Sequence, residues 1–552
     1  MRGRAEPGAP PRPRAVVAAL AVLHLALAWP PGPGEGALAA LVVVPVELAA
    51  LLAALVLAPA GWRRPVRHAG LAFLALTLVL ELADLAAVAA LGRAFHPVFD
   101  LHLAAAGWNL ATGTLGTATA TAAAAAVLGA LALALLAAHH ALTVVESWLL
   151  RAPRRPGRRL ATAALAGAVA ASALVPGVRA GNAALVERKL RDGVTALASM
   201  RAFERRAAND ALTEVPTAEL FAGLEGRDVL FLVVESYGRT ALDHPRYAAV
   251  IRDRLRHFET ALAEVGYDAR SGWLTAPVKG GQSWLAHATL LAGLRIDHQQ
   301  RYGALLASER RSLIHGFARA GWRTAAVMPA ITMPWPEGSW FGYDATYTAA
   351  ELGYAGEPFN WVTMPDQYTL SALERLELAR EGRPPVMAEV ALISSHAPWT
   401  PIPPLLHWDE VGDGSVFTPH ARAGDPPAVV WRDAERVRAQ YLKAVDYALA
   451  NLVSYVETFG RDDLVLVVVG DHQPAPLVTG AGAGFDVPMH VIAAPEVLDR
   501  LDAWGWSAGM TPSSDLDAWA MAAFRDRFVQ AFSDPPAAAG RAVQASDTDN
   551  GA

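Results

Sequence analysis

Three side chains of the types that bind hard metal ions follow two short apolar segments of the chain. Glu235 comes directly after the segment DVLFLVV, and Asp471 and His472 come directly after LVLVVVG. Both segments are rich in Val and Leu, which is typical of strands buried on both faces of a parallel sheet. Ligands of such sheets gather at the carboxyl ends of the strands. We therefore expect two carboxylates and an imidazole to meet there and to suit a divalent cation such as manganese, magnesium or zinc.

A serine that follows two glycines is the candidate nucleophile. The run Gly280-Gly281-Gln282-Ser283 precedes the helix-like segment AHATLLAGL. One interpretation is that Ser283 caps this helix, which is a common role for serine at a helix start. The other is that its hydroxyl attacks phosphorus or sulfur beside a bound metal ion. Local sequence alone leaves both interpretations open.

Strand-like and helix-like segments alternate from residue 228 onward, and these elements must position the candidate side chains. The strand-like segments are LFLVVES, TAAVMP, VMAEVALISS, LVLVVVGD and VPMHVIAA, and helix-like segments lie at 248–265 and 436–458. This alternation predicts an α/β domain with a mostly parallel central sheet and helices on both faces. The loops at 335–361 and 398–427 are rich in Pro, Gly and aromatic residues, and we expect them to shape a substrate site.

The composition divides the chain into an apolar part and a part of ordinary globular composition. Of the 552 residues, 53% are hydrophobic and 18% are charged, and the excess of Ala, Leu and Val lies before residue 180. We predict a transmembrane helical domain at 1–180, a juxtamembrane helical linker at 181–225, a catalytic domain at 226–533 and a disordered tail at 534–552. The net charge of −6 does not favour nucleic-acid binding, and the absence of cysteine excludes disulfides and thiol chemistry.

The apolar part contains five candidate membrane spans, each near the ~20 residues that cross a bilayer. They lie at 15–30, 37–60, 69–91, 115–142 and 160–178. Arginines cluster before the first span, between the second and third, and between the fourth and fifth, so we expect a cytoplasmic N-terminus and an extracytoplasmic catalytic domain. A cleaved signal peptide in place of the first span is an alternative that leaves the orientation unchanged.

Five ionisable side chains lie within the predicted spans. They are Glu47, Glu81, Asp84, His139 and His140. Such groups are costly at membrane depth unless they meet a partner or a cavity. They either form hydrogen bonds between helices or lie near an interface, or they line a path for substrate.

Two motifs resemble those of the alkaline phosphatase superfamily. The run from Ser283 to Gly293, S-W-L-A-H-A-T-L-L-A-G, has the spacing of the sulfatase signature C/S-x-P-S-R-x-x-L-L-T-G. The segment VLFLVVESYGRTALD is similar to the first motif of membrane-bound phosphoglycerol transferases and lipoteichoic acid synthases, in which one Glu binds the metal ion. The motifs span residues 228–495. The resemblance implies an N-terminal bundle of five transmembrane helices followed by an α/β alkaline phosphatase-like (sulfatase) domain.

The resemblance also implies roles for five residues of this chain. Glu235, Ser283, Asp471 and His472 match the metal-site positions of that family, and Ser283 also matches the nucleophile. His396, in S-S-H-A-P-W, matches the substrate-binding His, which would bind phosphoryl oxygens or protonate the leaving group. The implied cofactor is one divalent metal ion, manganese, with magnesium or zinc as alternatives.

The chain departs from the sulfatase pattern at two signature positions. Sulfatases convert a Cys or Ser to formylglycine through a following Pro and Arg, whereas this chain has Leu285 and His287 there. We therefore expect no conversion of Ser283. The paired aspartates that open the sulfatase calcium site are also replaced, by Glu235-Ser236. These departures favour phosphoester chemistry over sulfate ester hydrolysis.

Three further side chains are candidates for substrate binding. Arg239 and His287 lie close in sequence to the metal and nucleophile positions, and Trp340 lies where the related synthases bind a glycerophosphate head group. Arg239 is equally explained as a surface ion pair, and an aromatic cluster such as that around Trp340 is more often packing. Unlike those synthases, the chain has no Arg in this aromatic run. We expect His490, which lies in the last strand-like segment, to be a core residue.

The sequence as a whole predicts a multi-pass enzyme of the bacterial plasma membrane with an extracytoplasmic catalytic domain. The reaction implied is transfer of a phosphoglycerol-type or related phosphorylated head group from a membrane lipid to an envelope glycan or lipid, through a Ser283 intermediate. One alternative is a sulfatase-like hydrolase of sulfuric or phosphoric esters, and another is a non-catalytic envelope scaffold. The sequence does not decide whether water or an acceptor hydroxyl resolves the intermediate.

Overall fold

A computed structural model of the chain describes residues 11–28, 44–91, 93–101, 103–151, 178–480 and 482–533, with the single positions 163, 167 and 171. The chain divides into two compact units, one of residues 1–88 and 93–198 and one of residues 89–92 and 199–552. The predicted boundaries at 180 and 225 stay predictions. The predicted disordered tail at 534–552 lies outside the described residues.

The first unit is helical. Its helices are α1 Pro13–Ala28, α2 Val46–Leu57, α3 Arg63–Leu91, α4 Leu103–Leu115, α5 Thr117–Arg151 and α6 Gly181–Ala208. The last residues of α3 and of α6 belong to the second unit. Val44–Pro45 and Val178–Arg179 pair as a two-residue parallel bridge. Leu23, Leu55, Leu74 and Leu142 form the centre of its core, so α1, α2, α3 and α5 pack together.

The prediction of five membrane spans is wrong for the described residues, which contain two helices long and apolar enough to cross a membrane. These are Ala60–Leu91 and Thr117–Leu150, each with a mean hydropathy of 2.2. The helices at the first two predicted spans have 16 and 12 residues. At 1.5 Å per residue they extend about 24 and about 18 Å, less than the roughly 30 Å hydrocarbon core. The predicted span at 160–178 lies almost entirely outside the described residues.

Two of the ionisable groups of the predicted spans have hydrogen-bond partners within the first unit. Asp84 Oδ1 accepts a hydrogen bond from Lys189 Nζ at 2.6 Å, and Glu47 Oε1 accepts one from the Ala183 backbone at 2.9 Å. Hydrogen bonding between segments, the first of the two interpretations, is therefore confirmed for these carboxylates. The apolar side chains exposed along α5, which include Leu128, Leu133 and Leu136, are those that a membrane helix presents to lipid.

The second unit contains a nine-stranded mixed sheet. Its strands are β1 Asp228–Val234, β2 Asp268–Thr275, β3 Arg323–Met328, β4 Ala345–Thr348, β5 Val386–Leu392, β6 Leu464–Gly470, β7 Asp486–Ala493, β8 Ser507–Ala508 and β9 Trp519–Ala520. The spatial order is β8-β2-β7-β6-β1-β5-β3-β4, with β9 beside β2. Strands β6, β1, β5, β3 and β4 are parallel, whereas β7 is antiparallel to β6 and β2. The predicted α/β class and mostly parallel sheet are confirmed.

Helices cover both faces of this sheet. The longer ones are α7 Ala248–Glu264, α8 Ser283–Ala292, α9 Gln299–Leu306, α10 Leu313–Arg319, α11 Asp366–Leu373, α12 Ala434–Phe459 and α13 Phe524–Phe532. Four-residue helices lie at Thr240–Asp243, Gly338–Phe341, Ala349–Leu352, Thr418–Ala421, Pro427–Val430, Pro476–Thr479 and Pro495–Leu498.

Alternate residues of β1 belong to two different hydrophobic cores. Leu230, Leu232 and Val234 lie in one core with α7 and α12, and the residues between them lie in the other with α8 and α13. Successive side chains of a strand point to opposite faces, so β1 is buried on both. This burial fixes the carboxyl end of β1, where the candidate metal ligands begin.

Candidate active site

Two adjacent strand ends bring the predicted metal ligands together. In the parallel pair of β1 and β6, Val234 is in register with Gly470, so Glu235 and Asp471 follow at the same edge of the sheet. The backbone N–H of Asp471 donates to Val234 O at 3.3 Å, and that of Glu235 donates to Leu392 O at 3.0 Å. The expected meeting of these residues at the carboxyl ends of parallel strands is confirmed.

Glu235, Asp471 and His472 form a buried cluster in which one ligand atom of each lies within 4.8 Å of the others. His472 Nε2 is 3.3 Å from Glu235 Oε1 and 3.5 Å from Asp471 Oδ2. His472 Nδ1 lies 2.9 Å from the Gln473 carbonyl oxygen, which can only accept, so Nδ1 carries a hydrogen. The bond to Gln473 orients the ring and directs Nε2 to the cluster as the ligating nitrogen.

The cluster fits a divalent cation. Asp471 Oδ1 accepts hydrogen bonds from the backbone of Ser236 at 2.8 Å and of His472 at 2.6 Å, but Oδ2 is buried without a hydrogen-bond partner among the described residues. A buried carboxylate oxygen normally has such a partner. Burial, together with the nearby charge of Glu235, raises the pKa of Asp471 to about 7. A bound cation would supply the missing partner and remove the repulsion between the carboxylates.

The charges of two histidines stabilise the ionised form of Glu235. Burial opposes ionisation, but the nearby charges of His396 and His472 lower the pKa of Glu235 below its usual range. The same cluster acts on His472: burial disfavours its protonated form, but the Asp471 and Glu235 carboxylates raise its pKa to about 9. Glu235 is therefore the carboxylate of the cluster that keeps its negative charge most firmly.

Ser283 lies at the metal cluster and is the first residue of α8. Its hydroxyl donates to Glu235 Oε2 at 2.9 Å, and Oγ is 3.3 Å from His472 Nε2. The preceding Gln282 has a φ of +67°, and the Gly280 backbone donates to Gln473 O at 2.8 Å, which ties this turn to the end of β6. The hydroxyl therefore faces the cluster and does not cap its own helix. The amino end of α8 also favours anions.

His396 lies in the loop that follows β5. Its backbone donates to Ile393 O at 2.9 Å, and its Nδ1 donates to the carbonyl oxygen of Ala397. The imidazole is half-buried, and it is near enough to Glu235 for its charge to affect that carboxyl. The structure thus brings His396 to the same edge of the sheet as Glu235 and Ser283.

His287 has a buried partner that the sequence analysis did not identify. His287 Nδ1 is 2.6 Å from Glu389 Oε1, and Tyr343 donates its hydroxyl hydrogen to Glu389 Oε2. Glu389 is the one acidic residue of the otherwise apolar strand β5. A lone carboxylate in the middle of a buried strand was the signal available in the sequence, since such a group requires a partner.

Arg239 forms ion pairs and Trp340 packs in an aromatic cluster, which are the alternatives to substrate binding given in the sequence analysis. The Arg239 guanidinium bonds to Asp243 at 2.7 Å and Asp486 at 3.3 Å and lies 4.5 Å from the centre of the Trp273 ring. The Trp340 ring packs edge-to-face on Phe341 and His315. Roles for Arg239 and Trp340 in substrate binding stay predictions.

His490 is a core residue, as expected. It is fully buried in β7, with Nε2 3.2 Å from the Tyr237 hydroxyl and Nδ1 2.7 Å from Ser271 Oγ. Burial lowers the pKa of His490 to about 3, so its ring is neutral at physiological pH. Both ring nitrogens are used in packing the domain.

Comparison with known proteins identifies a sulfatase-family domain. The family model described as Sulfatase matches residues 227–492. No similar sequence was found among curated proteins.

Solved structures similar to the chain include transferases and hydrolases. They include the lipoteichoic acid synthase LtaP of Listeria monocytogenes (13% identity, 49% of this chain and 66% of that chain, TM-score 0.35). Another is the phosphoglycerol transferase GacH of Streptococcus pyogenes in complex with sn-glycerol-1-phosphate (10% identity, 53% of this chain and 74% of that chain, TM-score 0.33). A third is the phosphonate monoester hydrolase of Agrobacterium radiobacter (14% identity, 56% of this chain and 78% of that chain, TM-score 0.31). This chain spans just under two thirds of the length of LtaP.

Proposed function

Because residues 227–492 form a sulfatase-family enzyme domain, we propose that the chain is a metal-dependent phosphotransferase. It transfers a phosphoglycerol-type or related phosphorylated head group from a membrane lipid to an envelope glycan or lipid. The group passes through a covalent intermediate on Ser283. The alternative in which water resolves the intermediate makes the same site a hydrolase.

The position of the Ser283 hydroxyl carries the proposal. Oγ lies 2.9 Å from Glu235 Oε2 and 3.3 Å from His472 Nε2, at the amino end of a helix. A hydroxyl beside a carboxylate and a ligating imidazole is arranged as an activated nucleophile, with its base already in hydrogen-bond reach. The unpartnered Oδ2 of Asp471 supports a cation in the same cluster.

The proposed reaction has two displacement steps, and each residue of the site has a separate role in them. Glu235, Asp471 and His472 would hold a divalent cation, which would lower the pKa of the serine hydroxyl and neutralise charge on the phosphoryl group. Ser283 Oγ forms a bond to phosphorus as the bond from phosphorus to the lipid oxygen breaks, and its proton passes toward Glu235 Oε2. His396 gives a proton to the leaving oxygen. In the second step the acceptor hydroxyl gives its proton to His396 and attacks phosphorus, and the bond to Ser283 breaks as the proton on Glu235 returns to Oγ.

We assign manganese as the cation, with magnesium and zinc as alternatives. Two carboxylates, one imidazole and a serine oxygen form a mostly oxygen donor set, which suits manganese or magnesium, and the imidazole also suits zinc. Metal analysis of the purified full-length protein, prepared without added chelator, tests the assignment. A stoichiometric cation of another element would replace it.

We place the enzyme in the bacterial plasma membrane, with the catalytic unit outside the cytoplasm. The two helices long enough to cross a membrane support an integral membrane protein. Arg63, Arg64 and Arg67 at the start of α3 support a cytoplasmic location for that end. A membrane anchor also brings the catalytic unit to a lipid donor.

Intact mass of the full-length protein tests the proposed function. Detergent-solubilised protein loaded with manganese is incubated with vesicles that contain phosphatidylglycerol, and Ser283→Ala is treated in parallel. We expect an added glycerophosphate group on the wild type alone. Glycan or lipid acceptors that remove the adduct define the second substrate.

Other results of this experiment separate the alternatives. Absence of the adduct, combined with release of sulfate from an aryl sulfate, makes the protein a sulfatase-like hydrolase. Absence of both activities, in protein that also binds no cation, supports a non-catalytic scaffold. An adduct that persists in Ser283→Ala removes Ser283 as the nucleophile.

A further inference from the structure

A chain of three polar side chains, centred on the buried Glu389, lies next to the candidate active site. Glu389 is 1% exposed, and both of its carboxylate oxygens have partners: His287 Nδ1 at 2.6 Å on Oε1 and the Tyr343 hydroxyl on Oε2. The strand around it, Val386–Leu392, is otherwise apolar. Burying a carboxylate in such a strand is costly without partners. If this position had only a structural role, an apolar residue would fill it more favourably. The presence of Glu389 therefore indicates a functional role.

The position of His287 relates this chain of side chains to Ser283. His287 follows Ser283 by four residues on α8, and side chains at this spacing lie on the same helix face. The imidazole nitrogens point in different directions, so the bond from Nδ1 to Glu389 leaves Nε2 facing away from the strand. The side chain of His287 is 14% exposed, whereas that of Glu389 is 2% exposed. The His287 ring therefore contacts the buried strand through Nδ1, and its other edge lies nearer the solvent-exposed side of the site.

The charges around His287 favour its protonated form. Burial alone lowers the pKa of His287, but the Glu389 carboxylate raises it above the usual value, with smaller contributions from Asp471 and Glu235. The neighbouring hydroxyl of Tyr343 stays protonated, because burial raises its pKa. His287 therefore carries a positive charge or a held N–H at the position where the sulfatase signature has Arg.

We propose that Glu389 and Tyr343 are positioning residues that fix His287 so that its Nε2–H binds a non-bridging oxygen of the phosphoryl group on Ser283. The inference rests on the proposed function of the site. Arg at this position would supply several N–H donors in a plane. His287 supplies a single donor, which leaves the other phosphoryl oxygens to the cation and His396.

A double-mutant cycle in the full-length protein tests whether Glu389 acts through His287. We expect His287→Ala to lower kcat about 100-fold, as loss of one donor to the reacting oxygens does in other enzymes. Glu389→Gln is expected to lower kcat about 10-fold or more, as loss of a supporting partner does, with KM little changed. Glu389→Gln in the His287→Ala background should cause no further loss, because the partner it supports is already gone.

Matched controls separate positioning from general destabilisation. Glu374→Gln alters another largely buried carboxylate that accepts a tyrosine hydroxyl, from Tyr455, and should leave kcat unchanged. Tyr343→Phe removes only a hydroxyl and provides a milder test if Glu389→Gln does not fold; it should lower kcat in the wild-type background alone. Losses that add in the double variant, or full activity of His287→Ala, overturn the inference.

A readout that does not depend on turnover keeps this inference separate from the proposed function. Carbethoxylation of His287 by diethyl pyrocarbonate, followed by peptide mass spectrometry, should be slow in the wild type and faster in Glu389→Gln. Inorganic phosphate should protect His287 in the manganese-loaded wild type. If the wild type forms no glycerophosphate adduct, the proposed function fails, and the carbethoxylation and protection experiments still decide the inference. No acceleration in Glu389→Gln, or no protection by phosphate, contradicts it.

Discussion

Ser283 has a hydroxyl whose hydrogen is already directed at a carboxylate. The bond to Glu235 Oε2 at 2.9 Å holds this hydrogen, so the oxygen lone pairs of the hydroxyl point away from Glu235. His396 and His472 keep Glu235 ionised against the cost of burial, so the acceptor of this bond stays charged. In the proposed reaction, the Ser283 hydroxyl is thus oriented by its neighbours before any substrate binds.

Ser283→Ala is expected to abolish turnover and the covalent adduct while leaving the cation bound. Loss of the nucleophile in enzymes that act by covalent catalysis lowers kcat by roughly 10⁴-fold or more. Glu235, Asp471 and His472 remain as ligands, so metal content should be close to that of the wild type. Ser283→Thr, which retains a hydroxyl, is the matched control and should keep measurable activity.

Asp471→Asn is expected to lower cation affinity and activity together. The amide keeps the size of the carboxyl and an oxygen for the backbone bonds from Ser236 and His472, but it removes the charge that a cation requires. Affinity should fall at least as much as the about 10- to 100-fold seen for outer-shell changes. Titration with manganese, followed by metal analysis, measures the change.

Asp366→Asn provides the control for this variant. Asp366 is also fully buried with an unpartnered Oδ2, and burial raises its pKa to about 7, but it is not part of the metal cluster. Its cation affinity should equal that of the wild type. Equal losses in Asp366→Asn and Asp471→Asn would mean that destabilisation, and not ligand loss, explains the result.

The sequence predicted the ligands because each of them is marked by its position in the chain. Glu235, Asp471 and His472 follow apolar strands directly, and Ser283 lies in a motif of recognisable spacing. The sequence signal for Glu389 is only that of a lone carboxylate in an apolar strand, because its partners His287 and Tyr343 come from distant segments and meet it only in the folded sheet. Likewise, the ion pairs of Arg239 depend on Asp486, which is remote in sequence.

At the level of elements, one carboxylate joins the amino ends of the three central strands. Asp228, the first residue of β1, accepts bonds from Arg383 at 2.7 and 2.5 Å and from the Val386 backbone at the start of β5 at 2.7 Å. Arg461, which precedes β6, donates to it at 2.6 Å. This cluster lies at the edge of the sheet opposite the metal ligands, so it stabilises the strands without entering the site.

Asp228→Ala is expected to destabilise the catalytic unit by about 3–5 kcal/mol, because it removes the buried counter-charge of Arg383 and leaves Arg461 only its pairs with Glu374 and Asp463. Urea unfolding of the detergent-solubilised full-length protein, followed by tryptophan fluorescence, measures the loss. Asp243→Ala, which removes a more exposed ion pair with Arg239, is the control and should cost no more than about 1 kcal/mol. A loss for Asp228→Ala as small as that of the control would contradict the role of the cluster.

The same cluster predicts how stability depends on pH. Burial opposes ionisation of Asp228, but the hydrogen bonds from Arg383, Val386 and Arg461 lower its pKa below the ordinary value of 3.8. A lowered folded-state pKa gives stability that is present in full above the unfolded-state value and is lost as pH falls through the folded-state value. Asp228→Asn should therefore approach the wild type in stability below pH 3.8. A difference that stays constant to lower pH would contradict this.

Prediction of the elements was accurate for buried parallel strands and weaker elsewhere. Apolar runs identified β1, β3, β5, β6 and β7, whereas β2 was missed because Arg270, Ser271 and Gly272 interrupt its apolar pattern. Strand β2 is paired antiparallel with β7, so its position depends on a partner more than two hundred residues away. Hydropathy also overestimated the membrane spans, because it does not register that Pro45 and Pro59 flank the short helix α2.

At the scale of the whole molecule, the absence of cysteine gives a direct test of orientation. A single cysteine in Glu457→Cys, an exposed position of the catalytic unit, should react with a membrane-impermeant maleimide in intact spheroplasts. Arg64→Cys, beside the start of α3, should react only after permeabilisation, because we place that end in the cytoplasm. The wild type is the unlabelled control. The reverse pattern of labelling would invert the proposed orientation.

The order of the ligands along the chain determines when a cation first becomes bound during biosynthesis. Glu235 and Ser283 are 48 residues apart, but His472 follows Ser283 by 189 residues. At synthesis rates of about 5–20 residues per second, roughly 10–40 s pass between the appearance of the nucleophile and that of the last ligand. Under the proposed function, the nascent domain would spend this interval without a complete metal site, so metal acquisition would belong to the final stage of folding. The metal supply where β6 joins β1, and not that at the place of synthesis, would then decide which element is bound.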